Sequence, residues 1–508
     1  MSGASMLSDA FDTRCARAGG HAAVREGSET LTYAQLLAWS QAISRQLEPV
    51  LRIPGQRVAV MLPNSGAFVA AFFAVARAGG VVAPTNPQYG SHDLASHLGD
   101  LDAVALLSDP ESLGRAAGTL ERLPRCPALL EVSREHGARS VRGQTTAGLP
   151  LPGPFPAPPL LQQYTSGSTG TPKRVIRTHA HLIAELDCLR TTFEVTEEDR
   201  FLGVAPFFHV NGLVRTMLTA MHAGATLFPV ARFRRREVID LLTAEQITFC
   251  GAVPQIFTIL GQTPPRGAAD LSALRLVFSS SAPLLPADNR RFSERYGVVI
   301  RQLYGSTVTG TISFNRDPDP EQHLDSLGRP LDPVRVQVVD ERGAALPPGT
   351  EGELAIASPF AISSYFGNEV ASAESFRGGV YLSGDLGTID PAGHVRLTGR
   401  RKLLINRGGF KVNPYEVEDV IKAHPRVADV AVFGAVGPQG DDVVCCVIVA
   451  SGACTTDDIL AHCRERLADF KIPARIEFRD SLPKSSTGKI LRAQLGAPAG
   501  AHAERGTP

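Results

Sequence analysis

Residues 164–175 read Tyr-Thr-Ser-Gly-Ser-Thr-Gly-Thr-Pro-Lys-Arg-Val. The small hydroxyl and glycine residues Thr165, Ser166, Gly167, Ser168, Thr169 and Gly170 let backbone N–H groups approach an anion, and Lys173 adds a positive charge. A Walker A loop requires G-x-x-x-x-G-K-[ST]. Counted from Gly167, Pro172 stands at its second glycine and Arg174 at its Ser/Thr, so the P-loop NTPase reading fails. A plain Ser/Thr/Gly surface turn is the competing reading. The length of the string and its Pro-Lys ending weigh against it.

Around this loop, apolar strand-like runs alternate with helical patterns. The runs fall at 57–62, 81–84, 104–108, 226–230, 248–253 and 274–279, with amphipathic stretches at 235–245 and 287–296 among them. Such alternation predicts α/β layers with largely buried sheets. In the most apolar stretch, 67–84, Phe68, Phe72 and Val75 keep helical spacing behind Asn64 and Ser65, which predicts a capped core helix. Six prolines between 149 and 159 predict a connection without regular structure leading into the phosphate loop. Composition changes near residue 399. Segments 349–356 and 393–397 read as hairpin strands before it. A compact α+β pattern follows, with helices at 414–423 and 456–468 and strands at 427–433 and 443–449.

The 508 residues exceed what a single hydrophobic core holds. The 51 basic residues cancel the 51 acidic ones, so the electrostatic footprint of a nucleic-acid binder is missing. Residues 1–20 show no apolar signal-peptide core, and Arg77, Gly79 and Gly80 interrupt the 67–84 stretch before the roughly 20 residues that span a bilayer. The eight cysteines form no C-x-x-C, and Cys445 and Cys446 lie in an apolar run as core residues would. These features predict a cytoplasmic, reduced protein with no metal site, no membrane span and no nucleic-acid partner.

Further segments carry chemistry-bearing residues in order: Phe207-Phe208-His209, Ser281-Ala282-Pro283, Gln302-Leu303-Tyr304-Gly305-Ser306-Thr307, Ser383-Gly384-Asp385, Gly399-Arg400-Arg401-Lys402, Gly408-Gly409-Phe410-Lys411-Val412, and Pro483-Lys484-Ser485-Ser486-Thr487-Gly488-Lys489. Together with the 164–175 loop they resemble the adenylate-forming superfamily, in particular its acyl-CoA synthetase branch. The likeness runs from about Leu31 to Arg492. It implies a large AMP-binding domain of layered sheets and helices over 1–398, a hinge at 399–403 and a small mobile α+β lid over 404–495, while the Gly-, Ala- and Pro-rich composition of 496–508 predicts a disordered tail.

The resemblance also implies roles. Residues 165–170 with Lys173, Ser281–Pro283 and Tyr304–Thr307 would hold the nucleotide, Tyr304 as adenine platform. Asp385 and Arg400 would hold the ribose, His209 would border the acid pocket, and Lys402 would be the pivot. Gly408, Gly409, Phe410 and Lys411 would line the pantetheine tunnel of CoA. Lys489 would neutralise charge during adenylation. In the family reaction a carboxylate attacks the α-phosphate of ATP, giving acyl-AMP and pyrophosphate, and a thiol then displaces AMP.

Three positions depart from that pattern. Val308 stands where the family has a glutamate for Mg²⁺, and an isopropyl group cannot ligate a cation that demands oxygen. Arg174 replaces a glycine, and Ser280 stands where a glycine usually admits the nucleotide backbone. All three touch ATP handling, whereas the hinge, the tunnel and Lys489 match. The expectation is therefore a ligase that thioesterifies a preformed acyl-AMP supplied by a separate adenylating enzyme, with adenylation weakened or lost. An ordinary two-step acyl-CoA synthetase, a stand-alone adenylating enzyme serving a carrier protein or amine, and a non-catalytic relic stay open. Apolar segments 207–213 and 248–257 with Leu303 favour a bulky hydrophobic carboxylic acid.

Overall fold

The computed structural model describes residues 6–134, 137–142, 150–151, 155, 157–165, 172–264, 270–407, 410–437, 442–485 and 488–496. The apolar runs set the first layer. Arg57–Met61, Val81–Pro84 and Ala105–Ser108 are buried along their whole length, as strands covered on both faces must be. Among the described residues they lie in a seven-stranded sheet. Its order is Gly137–Arg142, Ala128–Ser133, Ala105–Ser108, Arg57–Met61, Val81–Pro84, Pro159–Tyr164, Arg174–Thr178. The inner pairs are parallel and both edge pairs antiparallel. The edge hairpin of Pro159–Tyr164 with Arg174–Thr178 brackets the phosphate loop.

Helix Gly66–Arg77 packs beneath this layer. Ser65 caps it, its hydroxyl accepting the Phe68 N–H at 3.2 Å. Phe68, Phe72 and Val75 are fully buried, as their spacing predicts. Among the described residues no helix is long and apolar enough to cross a membrane. In the proline-rich stretch, the Leu151 N–H bonds the Gly55 carbonyl at 3.2 Å and Pro159 already opens a strand.

The second layer is a nine-stranded sheet among the described residues. Its parallel centre runs Arg301–Ser306, Leu276–Ser279, Phe249–Ala252, Arg200–Gly203, Thr226–Pro229 and Ala22–Glu26. At one edge Gly310–Phe314 folds back on Arg301–Ser306 as an antiparallel hairpin. Helices Arg235–Ala244, Pro254–Gln262 and Pro286–Tyr296 supply Val238, Ile239, Leu242, Phe257, Leu260 and Phe292 to the core under this sheet.

The described chain divides into two compact units. The sheets above belong to the first, made of residues up to 165 with 173–335 and 357–379; residues 336–356 and 380 onward form the second. In the second, Gly352–Ala357 and Val395–Arg400 are strands, as the sequence reading expects. The intervening strand Val380–Ile389 is antiparallel to both. That pairing ties residues 380–398, which the sequence reading puts before the hinge, to the strand ending at Arg400. Farther on, strands Val427–Val436, Asp442–Ala450 and Arg475–Phe478 carry helices Pro414–Lys422 and Thr456–Arg464 over a core of Val417, Ile421, Val432, Ile448 and Ile459. The second helix ends at Arg464, short of the expected 468. Cys445 and Cys446 are buried thiols of this unit. The tail from 497 lies outside the described residues.

Candidate active site

In the first unit Thr165 and Lys173, which flank the loop outside the described residues, are tied to each other. The Thr165 N–H donates to the Lys173 carbonyl at 3.0 Å, and the Lys173 N–H returns to Thr165 Oγ1 at 3.2 Å. Ser166, Gly167, Ser168, Thr169 and Gly170 lie outside the described residues. Lys173 Nζ stands 4.3 Å from the ring centre of Tyr365, a cation–π contact. Arg174 has a definite place. Its backbone bridges to Phe366, its guanidinium lies over the Phe366 ring, and Nη2 meets Asp100 at 3.2 Å. Asp100 also accepts the Tyr164 hydroxyl at 2.7 Å. Arg174 is thus held by Asp100 on helix Ser91–Leu101 and by Phe366.

The aromatic-histidine element is braced by a residue that sequence reading treated only as a helix flank. Asn64 donates to the Gly203 and Ala205 carbonyls, both at 2.9 Å, and accepts the Phe207 N–H at 2.8 Å. Phe207 is core, edge-on to Phe68, whereas Phe208 and His209 are half-buried with ring centres 4.6 Å apart. The Phe208 carbonyl accepts from Gln163 at 3.4 Å, next to the base of the phosphate loop. From Asn211 to Leu218 the chain forms a π-helix, a rare element often found at functional sites. Gly212 is required there, because a Cβ would overlap the Ala205 and Pro206 carbonyls.

This π-helix carries the main surprise. Arg215 is 1% exposed, and Arg177 and Glu185 are fully buried. Glu185 accepts Arg177 Nη2 at 2.6 Å and both the N–H and the hydroxyl of Thr311, at 2.8 and 2.7 Å. Arg215 donates to Thr311 Oγ1 and to Ser280 Oγ, each at 3.0 Å. Burial pulls the Arg215 pKa down to about 10, with Glu185 opposing, so it stays charged at neutral pH. Burial alone would raise the Glu185 pKa, yet Arg177 and Arg215 hold it below its ordinary value. None of the three was singled out from sequence. The available signal was the lone charge of Arg215 within the apolar run 213–218.

The network reaches segments 280–284 and 302–309, which the sequence reading expects at the nucleotide. Ser280 turns its side chain inward to Arg215 and is 1% exposed, so the extra hydroxymethyl group does not project from the loop. The next residue, Ser281, has φ +79°, a strained conformation for a residue with a side chain. Ala282 is half-buried and Pro283 exposed. Gln302 joins this segment to the Tyr304 strand by accepting the Leu284 N–H at 3.1 Å. Tyr304 is mostly buried, at 8% exposure. Gly305 lies against Arg215, since a Cβ there would overlap Nη2 and the Gly310 carbonyl. Beyond it, Ser306 Oγ accepts the N–H groups of Val308 and Thr309 at 3.2 and 3.1 Å, and Thr307 is half-buried. Val308 is 2% exposed, its carbonyl taken by the Ile362 N–H at 3.1 Å.

In the second unit Asp385 and Arg400 face each other across adjacent strands, Nε to Oδ1 at 2.5 Å. The turn before Asp385 is tied down by Ser383 Oγ on the Leu354 carbonyl and by the Gly384 N–H on Glu353, both at 2.8 Å. Lys402 is exposed on the short turn Arg401–Leu403. Gly408 and Gly409 lie outside the described residues. Phe410 is 57% exposed and stacks on Phe470 at 4.7 Å, and Lys411 pairs with Glu341 at 2.9 Å. Lys489 is half-buried on a tight turn, its N–H on Ser485 Oγ at 3.2 Å and its carbonyl accepting the Ser485 N–H at 2.8 Å. Lys484–Asp429 and Arg492–Glu418 ion pairs, at 2.7 and 2.5 Å, anchor the two ends of that turn.

The family model described as AMP-binding enzyme matches residues 11–366, and the AMP-binding enzyme C-terminal domain matches residues 416–489. A feruloyl-CoA synthase from Amycolatopsis sp is 32% identical over 495 residues, covering 96% of this chain and 97% of its own. An oxalate–CoA ligase from Arabidopsis thaliana is 32% identical over 482 residues, covering 92% and 93%. Among solved structures, ATP-bound MatB from Rhodopseudomonas palustris aligns with TM-score 0.85 at 26% identity, over 96% of this chain and 98% of that one.

Proposed function

The chain belongs to the AMP-binding enzyme family, with the adenylate-forming fold, and from that premise we propose that it is an acid–thiol ligase joining a carboxylic acid to CoA through an acyl-adenylate. In the thioester-forming half the thiol sulfur bonds to the acyl carbonyl carbon. The bond from that carbon to the phosphate oxygen breaks, AMP leaves with the electron pair, and the thiol proton passes to solvent. Asp385 and Arg400 are assigned to the ribose, Tyr304 to adenine, and Ser306 and Thr307 with the 165–170 loop and Lys173 to phosphate. Lys489, half-buried rather than freely solvated, is assigned to the charge that develops on adenylation. Phe410 and Lys411 offer an apolar wall and a cation to the pantetheine arm. The pivot between the two steps is placed at 399–403, where Lys402 sits on an exposed turn. We place the reaction in the cytoplasm.

We further propose that adenylation is weak and that the chain accepts acyl-AMP made by another enzyme. Val308 carries this reading. The position offers no oxygen, and the neighbouring Ser306 hydroxyl is already committed to two N–H groups and to Thr309 Oγ1 at 2.8 Å. These residues do not fit a Mg²⁺ ligand at the family's usual position. Transfer of the acyl group from AMP to a thiol requires no pyrophosphate departure and so does not need that ligand. Relatives named for feruloyl-CoA and for oxalate stand at the same identity, so likeness alone does not choose the acid. The apolar segments 207–213 and 248–257, with Leu303, support a hydrophobic body. The test supplies purified protein with a panel of acids plus ATP, Mg²⁺ and CoA in one arm, and with the matching acyl-adenylates plus CoA in the other. Product from the second arm alone supports the reading. Equal product in both arms leaves an ordinary two-step ligase.

A further inference from the structure

Arg177, Glu185 and Arg215 place two guanidinium groups and one carboxylate in the interior, an excess of one positive charge. Glu185 spends its contacts on Arg177 and Thr311. Arg215 touches only neutral hydroxyls through Nε and Nη1, and its Nη2 has no hydrogen-bond partner among the described residues. Four residues earlier on the same π-helix, Asn211 is 2% exposed, and neither its Oδ1 nor its Nδ2 has a partner among them. With i→i+5 bonding, residues four apart lie on nearly the same helix face. A guanidinium that shares its one nearby carboxylate with a second arginine, and an amide without hydrogen bonds, are costly in the interior, and proteins retain them where something else completes them. Both follow directly on the Phe207–His209 element assigned to the acid pocket, and Arg215 rests against Gly305, two residues from Thr307.

We propose that Arg215 and Asn211 form an anion subsite at the base of the acid pocket and receive a second carboxylate of the substrate. The preferred acid is then a dicarboxylate with an apolar spacer. Its reacting carboxylate lies at the Thr307 end, where the α-phosphate is assigned, and its other carboxylate lies near Gly305. Only Ser306, the last residue of the strand, lies between these points, so the two carboxylates stand no more than about 7 Å apart. This inference rests on the acid–thiol ligase reading and deepens it.

The test is binding by titration calorimetry to the full-length protein, using matched pairs: hexanoate against adipate, and 3-phenylpropanoate against its 4-carboxy derivative. The expected result is that the dicarboxylate of at least one pair binds about tenfold or more tightly than its twin, the worth of a charge-assisted contact. Arg215→Met should erase that ratio while far-UV circular dichroism reports an unchanged fold. Should that variant not fold, Asn211→Leu is expected to reduce the ratio and takes its place. The proposal is overturned if no dicarboxylate outbinds its twin on the unaltered protein, or if the ratio survives in the variant, which would make Arg215 a structural strut. Failure of the ligase reading looks different: the binding ratio would stand, but no acid or acyl-adenylate would yield acyl-CoA.

Discussion

Val308→Glu should create a metal-dependent protein and strengthen ATP-dependent adenylation. Val308 is 2% exposed, so withdrawing its isopropyl group from the interior forfeits roughly 1.5–2 kcal/mol. A buried carboxyl without a partner adds a further cost of roughly 1–3 kcal/mol and neutralises rather than remain charged. Without Mg²⁺ the variant should therefore melt several degrees below the parent. A cation bound beside the new carboxylate restores about 2–3 kcal/mol when present at about a hundred times its dissociation constant. Melts with ATP, with and without Mg²⁺, should show this recovery in the variant and a much smaller one in the parent. Acid-dependent ATP–pyrophosphate exchange should rise roughly 10–100-fold, the usual weight of a ligand-shell residue. Thioester formation from preformed acyl-AMP should change little. A variant that gains the Mg²⁺-dependent melt but no exchange would refute the reasoning, because the site would then bind metal without adenylation having been limited by it.

Three other outcomes are expected. Glu185→Gln leaves two buried guanidinium groups without their carboxylate and should cost roughly 3–5 kcal/mol, read from the urea midpoint. Since Arg177 and Arg215 hold the Glu185 pKa below 4.5, its contribution is complete above that pH and lost as pH falls through the lowered value, so parent and variant should converge in acid. Lys489→Ala should lower pyrophosphate exchange roughly 100-fold or more and leave thioester formation from acyl-AMP within about tenfold. Arg174→Gly removes a partly exposed contact to Asp100 and should cost less than about 1 kcal/mol, with AMP affinity unchanged in calorimetry; a large gain in affinity would mean the arginine obstructs the phosphate after all.

Local rules carried the layered fold. Continuous apolar runs became doubly covered strands, and Ser65 capped the helix that its spacing announces. Motif order carried the family. What local reading misses is partnership across the chain. Asn64 reads as a helix flank, yet it braces residues 203–207, well over a hundred positions away. The Arg177–Glu185–Arg215 network closes only when three elements and the Gly310–Phe314 strand pack together. Segments 349–356 and 393–397 read as hairpin strands, but their shared antiparallel partner, the longer Val380–Ile389, was not read from the sequence. The consequences of Arg174 and Ser280 depended on where the side chains turn, toward Asp100 and Arg215, which no motif records.

The proposed function makes the two half-reactions unequal in this chain. One preparation should be followed by rapid quench, with acid, ATP and Mg²⁺ in one series and preformed acyl-AMP with CoA in the other, to give single-turnover rates for adenylation and thioester formation. Adenylation is expected to be slower by roughly 10–100-fold or more. Rates of similar size would contradict it and show that Val308 does not limit the first half-reaction.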